Sequence, residues 1–186
     1  VIEALRAGRR LREVVVDRRV GQDLELILGL ADAAGVRTRR AERATLDELS
    51  EGVRHQGVVA LAPSFPYRAL VELSATDLVV VLDGVTDPQN LGAIARSAEL
   101  AGASALVLPK RRSAHVSPAA EKAAAGAFSR LEVALVPNLV RALGDLAERG
   151  LWSVGLAGTA VTTIWEEGLL DGSVALVIGA EGAGLS

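Results

Sequence analysis

The sequence contains no cysteine, which excludes disulfide staples, cysteine-ligated zinc and thiol nucleophiles. That fits a reducing compartment, and a cytoplasmic protein is expected. Aromatic residues amount to only 3%, so a core drawn from the 50% hydrophobic content has to be mainly aliphatic. No uninterrupted apolar stretch approaches the roughly 18 residues needed to span a bilayer, and no membrane partner is expected. The opening VIEALRAGRR has no apolar run followed by a cleavage site, so no signal peptide is read. Histidine is limited to His55 and His115. Neither has a carboxylate at ligand spacing, which predicts no metal site. GxSxG is absent and no Ser-His-Asp set is indicated.

What remains is enough for one ordinary domain or two small ones in 186 residues. The net charge of −3 does not by itself point to nucleic acid, but its distribution is uneven. Residues 1–60 hold eleven arginines against ten acidic residues, whereas residues 77–186 hold eight basic and twelve acidic. The first region is the better candidate for phosphate contact, although a mixed solvated surface explains it equally well.

The spacing predicts a helix over Val1–Ala7, a strand over Leu11–Val16 and an amphipathic helix over Asp23–Ala34. A short strand over Val36–Thr38, a helix over Leu46–Glu51 with Thr45 and Glu48 as a capping box, and a strand over Gly57–Leu61 complete an α/β unit, residues 1–63. Two prolines, Pro63 and Pro66, mark residues 64–76 as a linker. A second α/β domain is expected over 77–186. Its strands are read at Leu78–Leu82, Ala105–Leu108, Leu131–Leu135, Trp152–Gly155 and Val174–Ile178. Its helices are read at Asn90–Ala101, Glu121–Ala127 and Leu139–Glu148.

Ligands of open α/β sheets collect beyond the carboxyl ends of the strands. Two stretches lie there. In LDGVTDPQNLGAIARS, Asn90 is read as the cap of a helix starting near Leu91, and Gly92 permits close approach of a backbone or a ligand. Arg96 lies six residues beyond Asn90, a rotation of about 600° that leaves the two about 120° apart, within an arginine's reach of the cap. In IGAEGAGLS, Gly179, Gly182 and Gly184 surround Glu181. This is neither the dinucleotide fingerprint nor a phosphate-binding P-loop, and a tight ligand loop or a structural turn would both produce it. The cluster Lys110, Arg111 and Arg112 follows the strand Ala105–Leu108, as an RNA-phosphate contact or as a solvated loop.

Together, VIEALRAGR, HQGVVA, VLDGVTDPQNLGAIARSAELAGASALVLPKRRSA and LVIGAEGAGLS resemble the SpoU (TrmH-like) family of RNA ribose 2′-O-methyltransferases over essentially the whole chain. The nearest likeness is to the bacterial branch that acts on guanosine in 23S ribosomal RNA. The resemblance implies an N-terminal L30e-like α/β domain for RNA and an α/β-knot (SPOUT) methyltransferase domain. It implies S-adenosylmethionine as cofactor, structured RNA as partner with 23S rRNA foremost and DNA excluded, and a homodimer. Asn90 and Arg96 fall in the first catalytic motif and Glu181 in the second. Leu156, Gly158, Thr159, Ile178, Gly179 and Ala180 fall in the cofactor pocket. The N-terminal Arg9, Arg10, Arg12, Arg37, Arg39 and Arg40 are candidate RNA contacts, with Lys110, Arg111 and Arg112.

The family's third motif, a proline-led strand with an SLNVS-like segment, is absent after Glu181. The chain is therefore expected to lack its C-terminal knot element, and a polypeptide ending at Ser186 to bind the cofactor poorly. Two other classes stay open: a catalytically silent RNA-binding protein of the same fold, and a nucleotide-binding metabolic enzyme.

Overall fold

Three consecutive β-branched residues, Val14, Val15 and Val16, are wholly buried and organise the first of two units, Val1–Phe65 and Pro66–Ser186. The computed structural model describes residues 1–19, 24–74, 77–166 and 168–186. Strand β1 (Glu13–Asp17) is central, parallel to β2 (Arg37–Ala41) and antiparallel to β3 (Val58–Leu61). Successive side chains of a strand point to opposite faces. Val14 and Val16 accordingly pack with Leu5 of α1 (Ile2–Arg6) and with Leu24, Ile27 and Ala31 of α2 (Leu24–Ala33). Val15 packs with Ala41 and with Leu46 of α3 (Arg43–Leu49). Asp23, the expected first residue of the second helix, lies outside the described residues.

The expected capping box at Thr45 and Glu48 does not form. The last residue of β2, Ala41, is buried beside α3, so the chain turns at once through Glu42, whose extended backbone (φ −71°, ψ 154°) precedes a helix already under way at Arg43. Thr45 lies inside that helix, its N–H donating to the Glu42 carbonyl at 3.0 Å.

The second unit is a five-stranded parallel sheet in the order β6-β5-β4-β8-β7: β4 (Leu78–Asp83), β5 (Ala105–Pro109), β6 (Glu132–Val136), β7 (Trp152–Leu156) and β8 (Val174–Gly179). Val79, Val81, Val107, Ala175 and Val177 face one side, with Ala142 and Leu146 of α6 (Leu139–Glu148). The alternate residues Val80, Leu82, Leu106 and Leu108 are equally buried, so the opposite face is covered too. On α4 (Pro88–Leu100), Leu91 and Ala95 are fully buried.

Helix α5 (Pro118–Ala124) presses on α4 at Gly92. A Cβ there would sit 2.4 Å from the Ala120 carbonyl oxygen and 2.8 Å from the Ala124 nitrogen. The glycine is therefore required by a neighbouring backbone. α5 starts three residues before the expected Glu121, because Ser117 caps it (3.3 Å to Ala120 N) and Pro118 occupies its first turn. It ends at Ala124 because Ala125 and Gly126 take positive φ, 49° and 98°.

Residues 66–74, read from the sequence as part of a linker, dock on this sheet. The Arg68 N–H donates to the Val133 carbonyl at 2.8 Å, and Leu73 joins the core. Arg149 donates to the carbonyls of Leu70 and Leu73 at 3.0 and 2.6 Å. Among the described residues no helix is long and apolar enough to cross a membrane.

Candidate active site

Strands β4 and β8 are far apart in sequence but paired in register, Leu82 with Ile178 and Asp83 with Gly179. Their carboxyl ends therefore release two loops side by side. One leads into α4, the other into the glycine-rich turn.

The cap of α4 is Asp87, not Asn90. Its carboxylate accepts from Gln89 N at 2.9 Å, and Pro88 takes the first helical position. Asn90 is thus one turn inside the helix, with its side chain free for another task. Its Nδ2 donates to Glu181 Oε2 at 3.1 Å, joining the two motifs across 91 residues. Arg96 is not brought into this pair. It is exposed and makes no hydrogen bond or ion pair with the described residues.

Glu181 is held by a closed turn. Ala180 and Gly184 exchange two backbone hydrogen bonds of 2.9 Å, while Gly182 and Gly184 adopt φ of 79° and 73°. A Cβ on Gly179 would lie 2.2 to 2.6 Å from the backbone of Gly184 and Leu185. The turn folds back onto its own strand end, and that contact is what demands glycine. Ser186 N–H completes the closure by donating to Asp83 Oδ2 at 2.7 Å.

Beside this turn, at the carboxyl end of β7, lies a cavity of about 370 Å³. Leu156 and Gly158 line it; Thr159, Ile178, Gly179 and Ala180 do not. Thr162, Thr163, Ile164 and Leu169 also line it, and the sequence reading missed them because their segment shows no helical or strand period. The size falls within the ~300–1,000 Å³ typical of small-molecule sites, and aliphatic walls with a few polar groups suit a nucleoside cofactor.

Lys110, Arg111 and Arg112 are exposed at the end of β5, on the same edge. Their loop is tied to the β4–α4 connection, where Val85 O accepts from Ala114 N at 2.7 Å and from Ser113 Oγ at 3.4 Å. The loop is also held by Tyr67, whose hydroxyl oxygen accepts from Val116 N–H at 2.9 Å. Burial raises the Tyr67 pKa above the ordinary phenol value, against the lowering effect of that bond.

In the first unit the candidate arginines do not form one stripe. Arg37 and Arg39 alternate on the edge strand β2 and flank Glu13 at 3.6 and 3.3 Å. Arg9 lies over the Phe65 ring, 5.7 Å from its centroid, while Arg10, Arg12 and Arg40 are exposed. His55 does have a carboxylate neighbour, contrary to the sequence reading. Its Nε2 lies 2.9 Å from Asp47 Oδ1, and its Nδ1 accepts from Gly57 N–H at 3.1 Å. Those two contacts tie a loop, and the described residues contain no group of three or more potential metal ligands.

Residues 77–186 match the SpoU rRNA Methylase family, and residues 1–68 match the RNA 2'-O ribose methyltransferase substrate binding family. The chain is 44% identical over 169 residues to a 23S rRNA (guanosine-2'-O-)-methyltransferase, RlmB, of Pseudomonas putida, covering 87% of this chain and 67% of that protein. It is 39% identical over 189 residues to the protein of that name in Escherichia coli K12, covering 97% and 76%. The crystal structure of the SpoU methyltransferase AviRb from Streptomyces viridochromogenes shares the fold with a TM-score of 0.81 at 24% identity, covering 99% of this chain and 70% of that one. With both halves matched and the two sequence motifs joined by one hydrogen bond, the chain belongs to the SpoU rRNA methylase family.

Proposed function

We propose that this protein transfers a methyl group from S-adenosylmethionine to the 2′-hydroxyl of a guanosine ribose in 23S ribosomal RNA, as a cytoplasmic homodimer. The observation that carries the reading is the Asn90–Glu181 hydrogen bond, which assembles polar groups at the sheet edge beside a cavity of cofactor size.

When bound, the cofactor supplies an electrophilic methyl group on a sulfonium. Leu156 and Gly158 would hold it, with the backbone of Thr159 and of Ile178 to Ala180 at the neighbouring strand end. A neutral hydroxyl is a weak nucleophile, so the site has to orient it and stabilise the charge that develops as its proton leaves to water. Arg96 is always protonated, which unsuits it as a base and suits it to stabilising an alkoxide, directly or through an RNA phosphate. Its lack of partners among the described residues supports that role. Asn90 orients the ribose by hydrogen bonding, and Glu181 fixes the Asn90 amide. When bound, the cofactor would supply the methyl group and be left as a neutral thioether, with the hydroxyl proton passed to water. The first unit grips RNA phosphate through Arg9, Arg10, Arg12, Arg37, Arg39 and Arg40, joined by Lys110, Arg111 and Arg112 at the edge of the second.

Transfer of labelled methyl from S-adenosylmethionine to 23S rRNA, with mapping of the modified nucleotide, tests the reading. Arg96→Ala is expected to reduce transfer at least a hundredfold, on the scale of losing one charge-stabilising group, with an unchanged circular dichroism spectrum. No methylation by the full-length wild-type gene product would overturn the function, and near-normal turnover of the variant would overturn the role of Arg96.

A further inference from the structure

The loop after β5 differs from its neighbours in the second unit. Lys110, Arg111, Arg112 and His115 are all exposed, and the stretch 110–117 contains no acidic residue. Lys110, Arg111 and Arg112 make no side-chain hydrogen bond or ion pair with the described residues. Elsewhere in this unit Arg68 pairs with Glu132, Arg130 pairs with Glu99 and Arg149 is taken up by carbonyls, while Arg96 shares the loop's lack of partners among the described residues.

The backbone under these free side chains is pinned. Arg112 holds φ at 56°, a left-handed conformation uncommon outside glycine. The bonds from Ala114 and Ser113 to Val85, and from Val116 to Tyr67, fasten the loop on both sides of His115. The His115 ring meets the Tyr67 ring nearly edge to face, with centroids 6.3 Å apart and planes at 65°, yet His115 stays exposed. A tyrosine that is half-buried and anchored through its hydroxyl makes a rigid backing for it.

A fixed loop offering free cations and an open ring has the parts used to grip unpaired nucleotides. Cations take the phosphates, and a ring takes a base that has left its stack. Bases within a duplex present no free face to such a ring. We infer that His115, backed by Tyr67, stacks on an unpaired nucleobase flanking the target ribose. The inference rests on the RNA-methylating reading above and adds to it a residue that grips a base.

The test is fluorescence anisotropy with a labelled RNA hairpin carrying a guanosine in its loop, against a fully paired duplex of the same composition. Binding is read without turnover, so a failure of catalysis does not obscure it. The wild-type protein is expected to prefer the hairpin. His115→Ala is expected to weaken hairpin binding roughly tenfold, within the range of losing one base–aromatic stack, while duplex binding stays within twofold. His115→Phe, which keeps a ring and removes the titratable group, is expected to restore hairpin binding. Three results would overturn the inference: no hairpin preference in the wild type, equal losses on hairpin and duplex, or no rescue by phenylalanine. Methyl transfer to 23S rRNA by the wild type is scored separately. If it occurs while His115→Ala binds the hairpin normally, the function stands and the stacking role falls.

Discussion

Asn90 and Glu181 meet through a single hydrogen bond, and what each contributes depends on the other. Groups that act as one unit give strongly non-additive losses when removed. Asn90→Ala and Glu181→Ala are therefore each expected to lower the rate of methyl transfer about tenfold or more, and the double variant to be no worse than the poorer single one. Multiplying losses, measured as kcat under saturating RNA and cofactor, would show that the residues act separately. The stretch Asp87–Glu99 could be read from the sequence as chemically important, but its geometry was misread at one point. Asn90 is an acceptable cap, yet Pro88 favours the first helical position and so makes Asp87 the cap. That shift by three residues turns Asn90 from a helix terminator into a side chain available to Glu181. The length of Arg96 and its place on α4 were legible, but its lack of partners among the described residues is a property of the folded surface.

At the scale of elements, two glycines inside helices make opposite demands. Gly92 lies where α4 and α5 touch backbone to backbone, and a methyl group would enter within 2.4 Å of Ala120 O. Gly144 lies within α6 with nothing within 4 Å of the position its Cβ would take. Gly92→Ala is expected to destabilise the protein by about 1–3 kcal/mol through overpacking. Gly144→Ala is expected to stabilise it by about 0.4–1 kcal/mol, chiefly by restricting the unfolded chain. Urea denaturation of both variants checks the pair; equal signs would contradict the packing described. Elements were legible where their pattern is strong: LVVVL gave β4, and the alternation of strands with helices gave the α/β class. Their boundaries were less so, because caps such as Ser117 and the left-handed Ala125 act locally, outside any hydrophobic period. The cavity segment around Thr162 to Leu169 has no period, and nothing in its composition set it apart.

For the whole molecule, the strand order was beyond the sequence. Each buried strand reads as the same kind of apolar run, so nothing local says that β8 enters between β4 and β7. That order leaves β7 on an edge with Trp152 68% exposed, and the chain after it leaves Val161 and Trp165 at 99% and 87%. Two exposed tryptophans on and after an edge strand are costly to leave in water, which supports the proposed homodimer. Sedimentation equilibrium is expected to give twice the chain mass of 19.3 kDa, and Trp152→Lys to shift the balance toward monomer. A wild-type monomer at tens of micromolar would sink the dimer.

The inserted position of β8 also bears on how the molecule comes to be competent. A chain ordered only as far as β7 has a vacant lane in the sheet, with the edges of β4 and β7 unpaired on either side of it. Filling that lane requires contacts of long sequence separation, which form late because the chain entropy is lost before the contacts compensate. Glu181 arrives only with that strand. The β5 loop and its cations do not depend on β8, so the proposed RNA contact is expected to be in place before Glu181. Under the proposed function, the Asn90–Glu181 pair is then expected to form after the surface that touches RNA.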